Sequence, residues 1–458
     1  MNTNHTPLGP KADKESVRRH NLSLVLRAVR DEGETTRAGV AARVGLTRAA
    51  VSSLVEQLME SGYLSESGKT FSGQAGRPGT VLKVTRSGPA GIGVEINIDY
   101  VSVCVVDLSG TDRVRLTEHL DNRGTEPAEV LARGARIAAR TLESAAEQGL
   151  HPVGVQLALP GLVSGGTVRQ APNLGWNRVP AQALFARALA RLRPTAPELP
   201  VRSENEANLA ALAELWFGGP GGLRTFLYLT GEIGVGGALV LDGELLRGAH
   251  GFAGEIGHVV ADADGPLCRC GARGCLEQYA GQSALLRAAG IDEDAGVPGV
   301  AELERRARRG DTAALAAIER AGTMLGRVLS GAVNLLDPDA VVLGGIYREL
   351  MPWLSPAADR ELTARVVSGL WPRGSGRLRA SSSAGDAARG GAALVVRAVL
   401  ADPVAYVRRD EAGSDGDGPA AGTGDGSAAG AGDGARSDGS GSGADDEAAS
   451  AGHAPGNG

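Results

Sequence analysis

Apolar residues near the start of this chain recur at helical spacing. They fall at every third or fourth position between residues 17 and 30, and Gly33 follows where such a helix would end. Thr36 can cap a second helix that ends near residue 44, and Thr47 can cap a third helix that ends near residue 61. The predicted inward-facing positions of the three helices are Leu22, Val25, Leu26, Val29, Val40, Ala41, Val44, Val51, Leu54, Val55 and Leu58.

A polar, glycine-rich turn and a predicted strand at residues 80–85 follow these helices, which together indicate a winged helix-turn-helix. Short polar and basic side chains at the start of the third helix are typical of proteins that read the major groove. Arg77, within Gly76-Arg77-Pro78-Gly79, lies on a rigid extended backbone from which it could enter a DNA minor groove. We therefore expect DNA contacts from Thr47, Arg48, Ala49, Ser52, Ser53 and Arg77. The alternative is a protein-interaction module with a solvated basic face.

The longer middle part of the chain alternates between strand and helix patterns, and it does so twice. The first set comprises strands at 91–106, 114–119, 153–159 and 200–202 with helices at 126–148 and 206–216. The second comprises strands at 226–230, 236–241 and 340–343 with helices within 281–334 and at 387–400. This repetition predicts a two-lobed α/β architecture with a central cleft.

Charge is unevenly distributed along the 458 residues, although the net charge is only −6. Residues 11–86 are mildly basic, as expected of a polyanion-binding head. Residues 411–458 consist mainly of Gly, Ala, Ser and Asp, and this composition predicts disorder. The predicted organisation is a disordered N-terminus at 1–14, a winged helix-turn-helix at 15–86, the two-lobed domain at 90–405 and a disordered acidic tail at 411–458.

Cysteine use and the lack of long apolar runs indicate where the protein works. The chain has four cysteines, and three of them are clustered, which argues against a disulfide framework and for a reducing cytosol. The N-terminal residues lack an apolar signal region, and no run approaches the roughly 20 apolar residues of a membrane span. We expect a soluble cytoplasmic protein that has no membrane partner.

The clustered cysteines form a metal-binding pattern with one histidine. His258 is followed by Cys268, Cys270 and Cys275, and three thiolates with one imidazole complete a tetrahedral shell for Zn²⁺. A closed shell leaves no position for an activated water, so we expect a structural zinc. The alternative is a set of reduced core cysteines beside a hydrogen-bonded histidine.

The same segment resembles the ROK family of sugar kinases and repressors. The resemblance rests on Glu-x-Gly-His at 255–258, Cys-x-Cys-Gly-x-x-Gly-Cys-x-Glu at 268–277, Pro172-Asn173-Leu174-Gly175-Trp176, Asn205-Glu206-Ala207-Asn208 and the stretch 337–345. It covers residues 15–400 approximately and implies an actin-like ATPase fold. The winged helix with Gly-Arg-Pro is similar to the regulators of the family and not to its free-standing kinases.

The resemblance also implies a sugar site. Its residues would be Asn205, Glu206, Glu255, His258 and Glu277, with His258 shared between metal and sugar. From the residues alone, Glu206 could equally be a carboxylate favoured by a helix N-terminus. Glu255 and Glu277 could likewise be solvated loop charges.

Two departures from the kinase pattern bear on catalysis. The family kinases carry Asp-x-Gly-Gly-Thr at their phosphate loop, where this chain has Glu95-Ile96-Asn97-Ile98-Asp99. The kinase base is an Asp, and its position holds Glu206 here. We therefore expect no kinase activity and no catalytic residue.

These observations predict a sugar-responsive transcriptional regulator. We expect a repressor of carbohydrate uptake or metabolism genes that acts as a homodimer or homotetramer. Its partners would be operator DNA and a sugar or sugar phosphate. The alternatives are an ATP-dependent, glucokinase-like sugar kinase with an appended DNA-binding domain, and a regulator that responds to a protein partner and binds no sugar.

Overall fold

A computed structural model describes residues 13–70, 79–218, 222–367, 369–372, 374–382 and 386–406. Arg77, residues 1–12 and the acidic tail 411–458 lie outside the described residues, and so do the predictions made for them. Among the described residues, no helix is long and apolar enough to cross a bilayer.

The N-terminal head has the predicted helices and wing. Its elements are α1 (Lys14–Glu32), β1 (Thr35–Thr36), α2 (Arg37–Val44), α3 (Arg48–Glu60), β2 (Leu64–Thr70) and β3 (Gly79–Val84). The side chains of Thr36 and Thr47 accept the amide hydrogens of Gly39 and Ala50, both at 3.2 Å, so both predicted caps are present. Helix α1 begins at Lys14, the last residue of the segment 1–14 that the sequence predicts to be disordered.

The first lobe of the body contains a mixed sheet. Its elements are β4 (Gly88–Ile96), β5 (Tyr100–Asp107), β6 (Asp112–His119), α4 (Pro127–Glu147), β7 (Leu150–Leu159), β8 (Leu162–Ser164), β9 (Thr167–Ala171), β10 (Trp176–Val179), α5 (Ala181–Leu192), β11 (Val201–Asn205) and α6 (Glu206–Phe217). The sheet order is β11-β7-β4-β5-β6, in which β4, β5 and β6 are antiparallel while β7 and β11 run parallel to β4.

The second lobe repeats this arrangement. Its elements are β12 (Phe226–Gly231), β13 (Val235–Leu241), β14 (Glu244–Leu245), α7 (Glu277–Ala280), α8 (Gln282–Ala288), α9 (Gly296–Arg308), α10 (Thr312–Leu336), β15 (Ala340–Gly345), α11 (Ile346–Arg365) and β16 (Leu378–Ala380). The last helix, α12 (Ala387–Ala401), returns to the first lobe, where it packs on β4, β7 and α6. Its sheet order, β14-β13-β12-β15-β16, again joins an antiparallel half to a parallel half. The predicted two-lobed α/β fold is therefore confirmed. Elements absent from the sequence prediction include α5, α11, β16 and the small sheet β8–β10.

Helix α12 lies against both the first lobe and the head. A Cβ atom on Gly93 of β4 would lie 1.8 Å from the carbonyl oxygen of Ala388, so only glycine permits this approach. A Cβ atom on Gly390 would likewise lie 1.9 Å from the carbonyl oxygen of Leu209 in α6. On its head side, α12 shares one hydrophobic cluster with α1, formed in part by Leu22, Leu26, Val29, Ala392, Val396 and Val399. The head and the body therefore share a core through α12.

Candidate functional site

One cleft between the lobes brings together the residues that the resemblance implied. Asn205, Glu206, Glu255, His258 and Glu277 all line it. The cleft is closed by the turn after β4, the glycine-rich turn between β12 and β13, and the segment around Pro172 to Leu174. These residues lie far apart in the chain, and the two-lobed fold places them together.

Glu206 is the first residue of α6 and faces this cleft. Asn205 caps the helix by accepting the amide hydrogen of Asn208 at 3.1 Å, and its side-chain NH₂ donates to the carbonyl oxygen of Gly161 at 2.9 Å. The Oε2 atom of Glu206 is buried and has no hydrogen-bond partner among the described residues. Burial, followed by the nearby Glu95, raises the pKa of Glu206 well above its usual range. The cleft therefore contains a buried carboxyl oxygen that is available to a ligand.

Glu255 and Glu277 approach the cleft from the segment that carries the cysteines. Burial raises the pKa of Glu255, His258 opposes this shift and Glu277 adds to it. Oε2 of Glu277 accepts the amide hydrogen of Val235 at 3.2 Å, which ties α7 to the start of β13. Glu277 is therefore a positioned side chain and not a solvated loop charge.

The four predicted metal ligands also come together. His258 Nδ1 lies 3.8 Å from Cys268 Sγ, and Cys270 Sγ lies 3.7 Å from Cys275 Sγ. The ligand atoms of all four residues lie within 4.8 Å of one another, so the cluster could hold a metal ion. Sulfur ligands of a tetrahedral zinc, at bonds of about 2.3 Å, lie roughly 3.8 Å apart, which matches the cysteine pair. His258 thus belongs to this cluster through Nδ1 beside the Cys268 sulfur, and its side chain also lines the cleft.

Two carboxyl groups at or near the cleft, the buried Glu95 and the half-buried Glu232, were missed as site residues. Glu95 accepts hydrogen bonds from the Tyr100 hydroxyl at 2.6 Å and from the Ala388 amide at 3.3 Å, and burial raises its pKa to about 7. Burial, with Glu95 and Asp99 nearby, raises the pKa of Glu232 to about 8. The sequence did contain a signal for Glu232, because it lies inside the glycine-rich run 231–237 and such turns rarely need a charged side chain.

The start of α3 on the head is largely exposed. Thr47, Arg48, Ala49 and Ser53 are exposed, and Ser52 is half-buried. The opposite face of α3 is buried in the head core through Val51, Leu54, Val55 and Leu58. This orientation leaves the polar N-terminal face of α3 free to contact another molecule.

Comparison with known proteins identifies the family. Residues 91–398 match the family described as "ROK family", and residues 18–65 match the family described as "Winged helix-turn-helix DNA-binding". The chain belongs to the ROK family. It is 30% identical to the xylose repressor of Caldicellulosiruptor bescii over 71% of this chain and 82% of that protein.

Solved structures of the ROK family agree with this fold. A ROK family transcriptional regulator, described as a homologue of the E. coli MLC protein, superposes with a TM-score of 0.67 at 23% identity. That match covers 84% of this chain and 97% of the regulator. A ROK family glucokinase from Streptomyces griseus, solved with glucose and AMPPNP, superposes with a TM-score of 0.55 at 26% identity. It covers 67% of this chain and 98% of the glucokinase.

Proposed function

We propose that this protein is a sugar-responsive DNA-binding repressor of carbohydrate uptake or metabolism genes, with its effector sugar in the cleft between the lobes. The named relatives support the function, since the C. bescii protein is a xylose repressor and its likeness extends over most of both chains. The observation that carries the sugar site is the buried, unpartnered Oε2 of Glu206 facing the cleft. A buried carboxyl oxygen without a partner is costly, and a sugar hydroxyl would satisfy it.

The lining of the cleft suits a neutral polyol. A carboxylate accepts hydrogen bonds and a protonated carboxyl group also donates one, so Glu206, Glu255 and Glu277 together favour a ligand with several hydroxyl groups. Burial and neighbouring carboxyl groups raise the pKa of Glu206 and Glu255, and an anionic ligand would add further negative charge to the same site. Nε2 of His258 adds a further polar contact beside the metal cluster. We therefore favour a free monosaccharide over a sugar phosphate as effector.

Zinc is the metal that best fits the cysteine cluster. Three thiolates and one imidazole are a common structural zinc shell, and the sulfur separation agrees with zinc geometry. When bound, the ion fixes the loop that carries the ligands. His258 and Glu277 would then be held rigidly toward the sugar, because one is a ligand and the other follows Cys275 by two residues.

The carboxyl groups missed by the sequence analysis strengthen the argument against phosphoryl transfer. Burial, and then the nearby Glu95 and Asp99, raise the pKa of Glu232. Negative charge is already disfavoured in this region, which raises the pKa of Glu95 as well, and triphosphate oxygens placed there would add more of it. The kinase alternative therefore lacks a suitable phosphate site. A coupled assay that showed ATP-dependent phosphorylation of glucose or xylose at about 1 per second would overturn this part of the proposal.

Operator DNA would contact the exposed start of α3, through Thr47, Arg48, Ala49, Ser52 and Ser53, with Arg77 in the wing. We infer a homodimer or homotetramer, because paired heads on a two-fold axis read two half-sites about one helical turn apart. The sugar would change the geometry of these paired heads and so shift operator affinity by its differential binding to the two states.

The decisive experiment combines a ligand screen with a DNA-binding assay. Monosaccharides and their phosphates are tested by thermal shift, and each hit is then tested for its effect on binding to DNA upstream of the protein's own gene. We expect a free sugar to raise the melting temperature and to change operator affinity. Glu206→Gln should abolish the sugar response, while Glu143→Gln, at an exposed position on α4, should retain it. Sugar binding that is equal in both variants would refute the site.

A further inference from the structure

A second concave site lies between the head and the first lobe. Its volume is about 710 Å³, within the range of about 300–1,000 Å³ typical of small-molecule sites. Helices α1 and α12 form its walls, and the first half of β7 with β11 forms its floor. It shares no lining residue with the cleft that contains Glu206.

The charged side chains that line this second site are almost all arginines. They come from α1, β11, the segment after β14 and α12, and the one acidic residue beside them is Asp31. The arginines are Arg27, Arg30, Arg202, Arg247 and Arg397. We call the site that these five arginines line the arginine cleft.

Part of this positive charge is already neutralised by the protein. Asp31 pairs with Arg30 at 3.3 Å and with Arg43, outside the cleft, at 3.7 Å. Arg247 pairs with Glu204 at 3.0 Å, and Glu204 lies two residues beyond Arg202 on the same face of β11.

Three guanidinium groups remain without a carboxylate partner. Arg27 and Arg202 are exposed, and the guanidinium group of neither forms a hydrogen bond or ion pair with any residue that the structure describes. Arg397 stacks over the ring of Trp216 at 4.5 Å, and this contact supplies no negative charge. The cleft thus holds an excess of positive charge contributed by both head and body.

This excess of positive charge bears on Arg397. Burial, then the charges of Arg30 and Arg27, lower the pKa of Arg397. Like charges held together in a partly enclosed site raise the energy of the protein unless an anion lies between them. Guanidinium groups bind phosphate oxygens with two parallel hydrogen bonds, which makes phosphate the best-matched anion.

We propose that the arginine cleft binds a small organic molecule that carries at least two phosphate groups. Three unpaired cations in one cleft call for more than one phosphate charge, and Val153, Leu394, Val395 and Tyr406 supply apolar lining for an organic part. None of the residues of α3 lines the cleft, which sets it apart from the DNA-reading surface. The ligand would bridge α1 of the head to β11 and α12 of the body. This inference concerns a second ligand and does not depend on the sugar proposal.

The test is isothermal titration calorimetry of the full chain with pyrophosphate at constant ionic strength. We expect saturable binding, and Arg27→Gln and Arg202→Gln should each weaken it about tenfold or more, because each removes charge-assisted hydrogen bonds. The matched controls are Arg136→Gln on α4 and Arg169→Gln on β9, which are exposed arginines away from the cleft. Both controls should bind pyrophosphate like the unmodified chain.

Several outcomes would overturn this inference. One is the absence of saturable binding, and another is equal weakening in the control variants, which would show a non-specific charge effect. A third is that the unmodified chain does not bind pyrophosphate while Arg27→Gln loses operator binding. That combination would show that the cleft contacts the phosphates of the operator DNA. Sugar affinity measured in Arg202→Gln checks the fold, and it should equal that of the unmodified chain.

Discussion

The hydroxyl group of Ser23 donates a buried hydrogen bond of 2.8 Å to the carbonyl oxygen of Leu400. This bond joins α1 of the head to the last turn of α12, where a carbonyl group has no partner within its own helix. Helix α12 in turn packs on β4 and α6, and the amide of Ala388 at its start binds Glu95. Because Glu206 at the start of α6 lines the cleft, one helix connects the proposed sugar site to the head.

Replacing Ser23 by Ala should weaken this connection. The substitution leaves a buried carbonyl unsatisfied, and we expect a loss of about 1–2 kcal/mol in the free energy of unfolding. The sugar-induced change in operator affinity should also become smaller. Denaturant unfolding and DNA titrations with and without sugar measure the two effects. Ser16→Ala, at an exposed position in the same helix, is the control, and an identical response from both variants would disprove the coupling role.

The metal cluster predicts a linked loss of zinc and sugar. Cys275→Ser removes one of the four proposed ligands and should lower both the bound zinc and the sugar affinity, since the loop that carries His258 and Glu277 would no longer be fixed. Cys104→Ser is the matched control, because Cys104 is buried on β5 outside the cluster. Native mass spectrometry counts the zinc. Full zinc occupancy in Cys275→Ser would contradict the assignment.

Glu232 predicts a pH-dependent stability. Its pKa rises from 4.5 to about 8 on folding, so the folded protein holds a proton that the unfolded chain releases within that interval. Stability is therefore lost as the pH rises through this window. At pH 4, the melting temperature of Glu232→Gln should equal that of the unmodified chain. Near pH 9 its melting temperature should be higher, by roughly 2–4 °C for each kcal/mol of unfolding free energy that the substitution restores.

Thermal melts across this pH range, with Glu143→Gln as an exposed control, provide the measurement. A constant difference between Glu232→Gln and the unmodified chain at every pH would show that the effect of the substitution is not a titration.

Arg48 at the start of α3 should contribute to operator binding. Arg48→Gln is expected to weaken binding by about 1–3 kcal/mol at a base contact, or to reduce the salt slope by about 1 at a phosphate contact. Sugar affinity should not change, because Arg48 lies in the head and not in the cleft lining. Arg187→Gln, an exposed arginine on α5, is the control in DNA titrations over several salt concentrations. Unchanged operator affinity and salt slope would remove Arg48 from the interface.

Local patterns made much of the head and the metal cluster predictable. Thr36 and Thr47 cap their helices by bonds to residues three positions away, so a short stretch of sequence contains the whole signal. The proposed metal ligands lie between His258 and Cys275, and their residue types alone indicate a metal. The missed elements had weaker signals, since the strands β8–β10 are short and α11 contains Pro352 and Pro356.

The sequence by itself determined the caps, the helical faces of the head, the order of strands and helices along the chain and the proposed metal-ligand set, because each is read from residues that are close along the chain. Only the tertiary structure decided that Glu95 is buried near the cleft, that Glu232 lines it, and that α1 packs on α12. The arginine cleft likewise joins residues from position 27 to position 397. Burial and charge crowding depend on which distant segments meet, and the pairing of strands and helices in space determines those contacts.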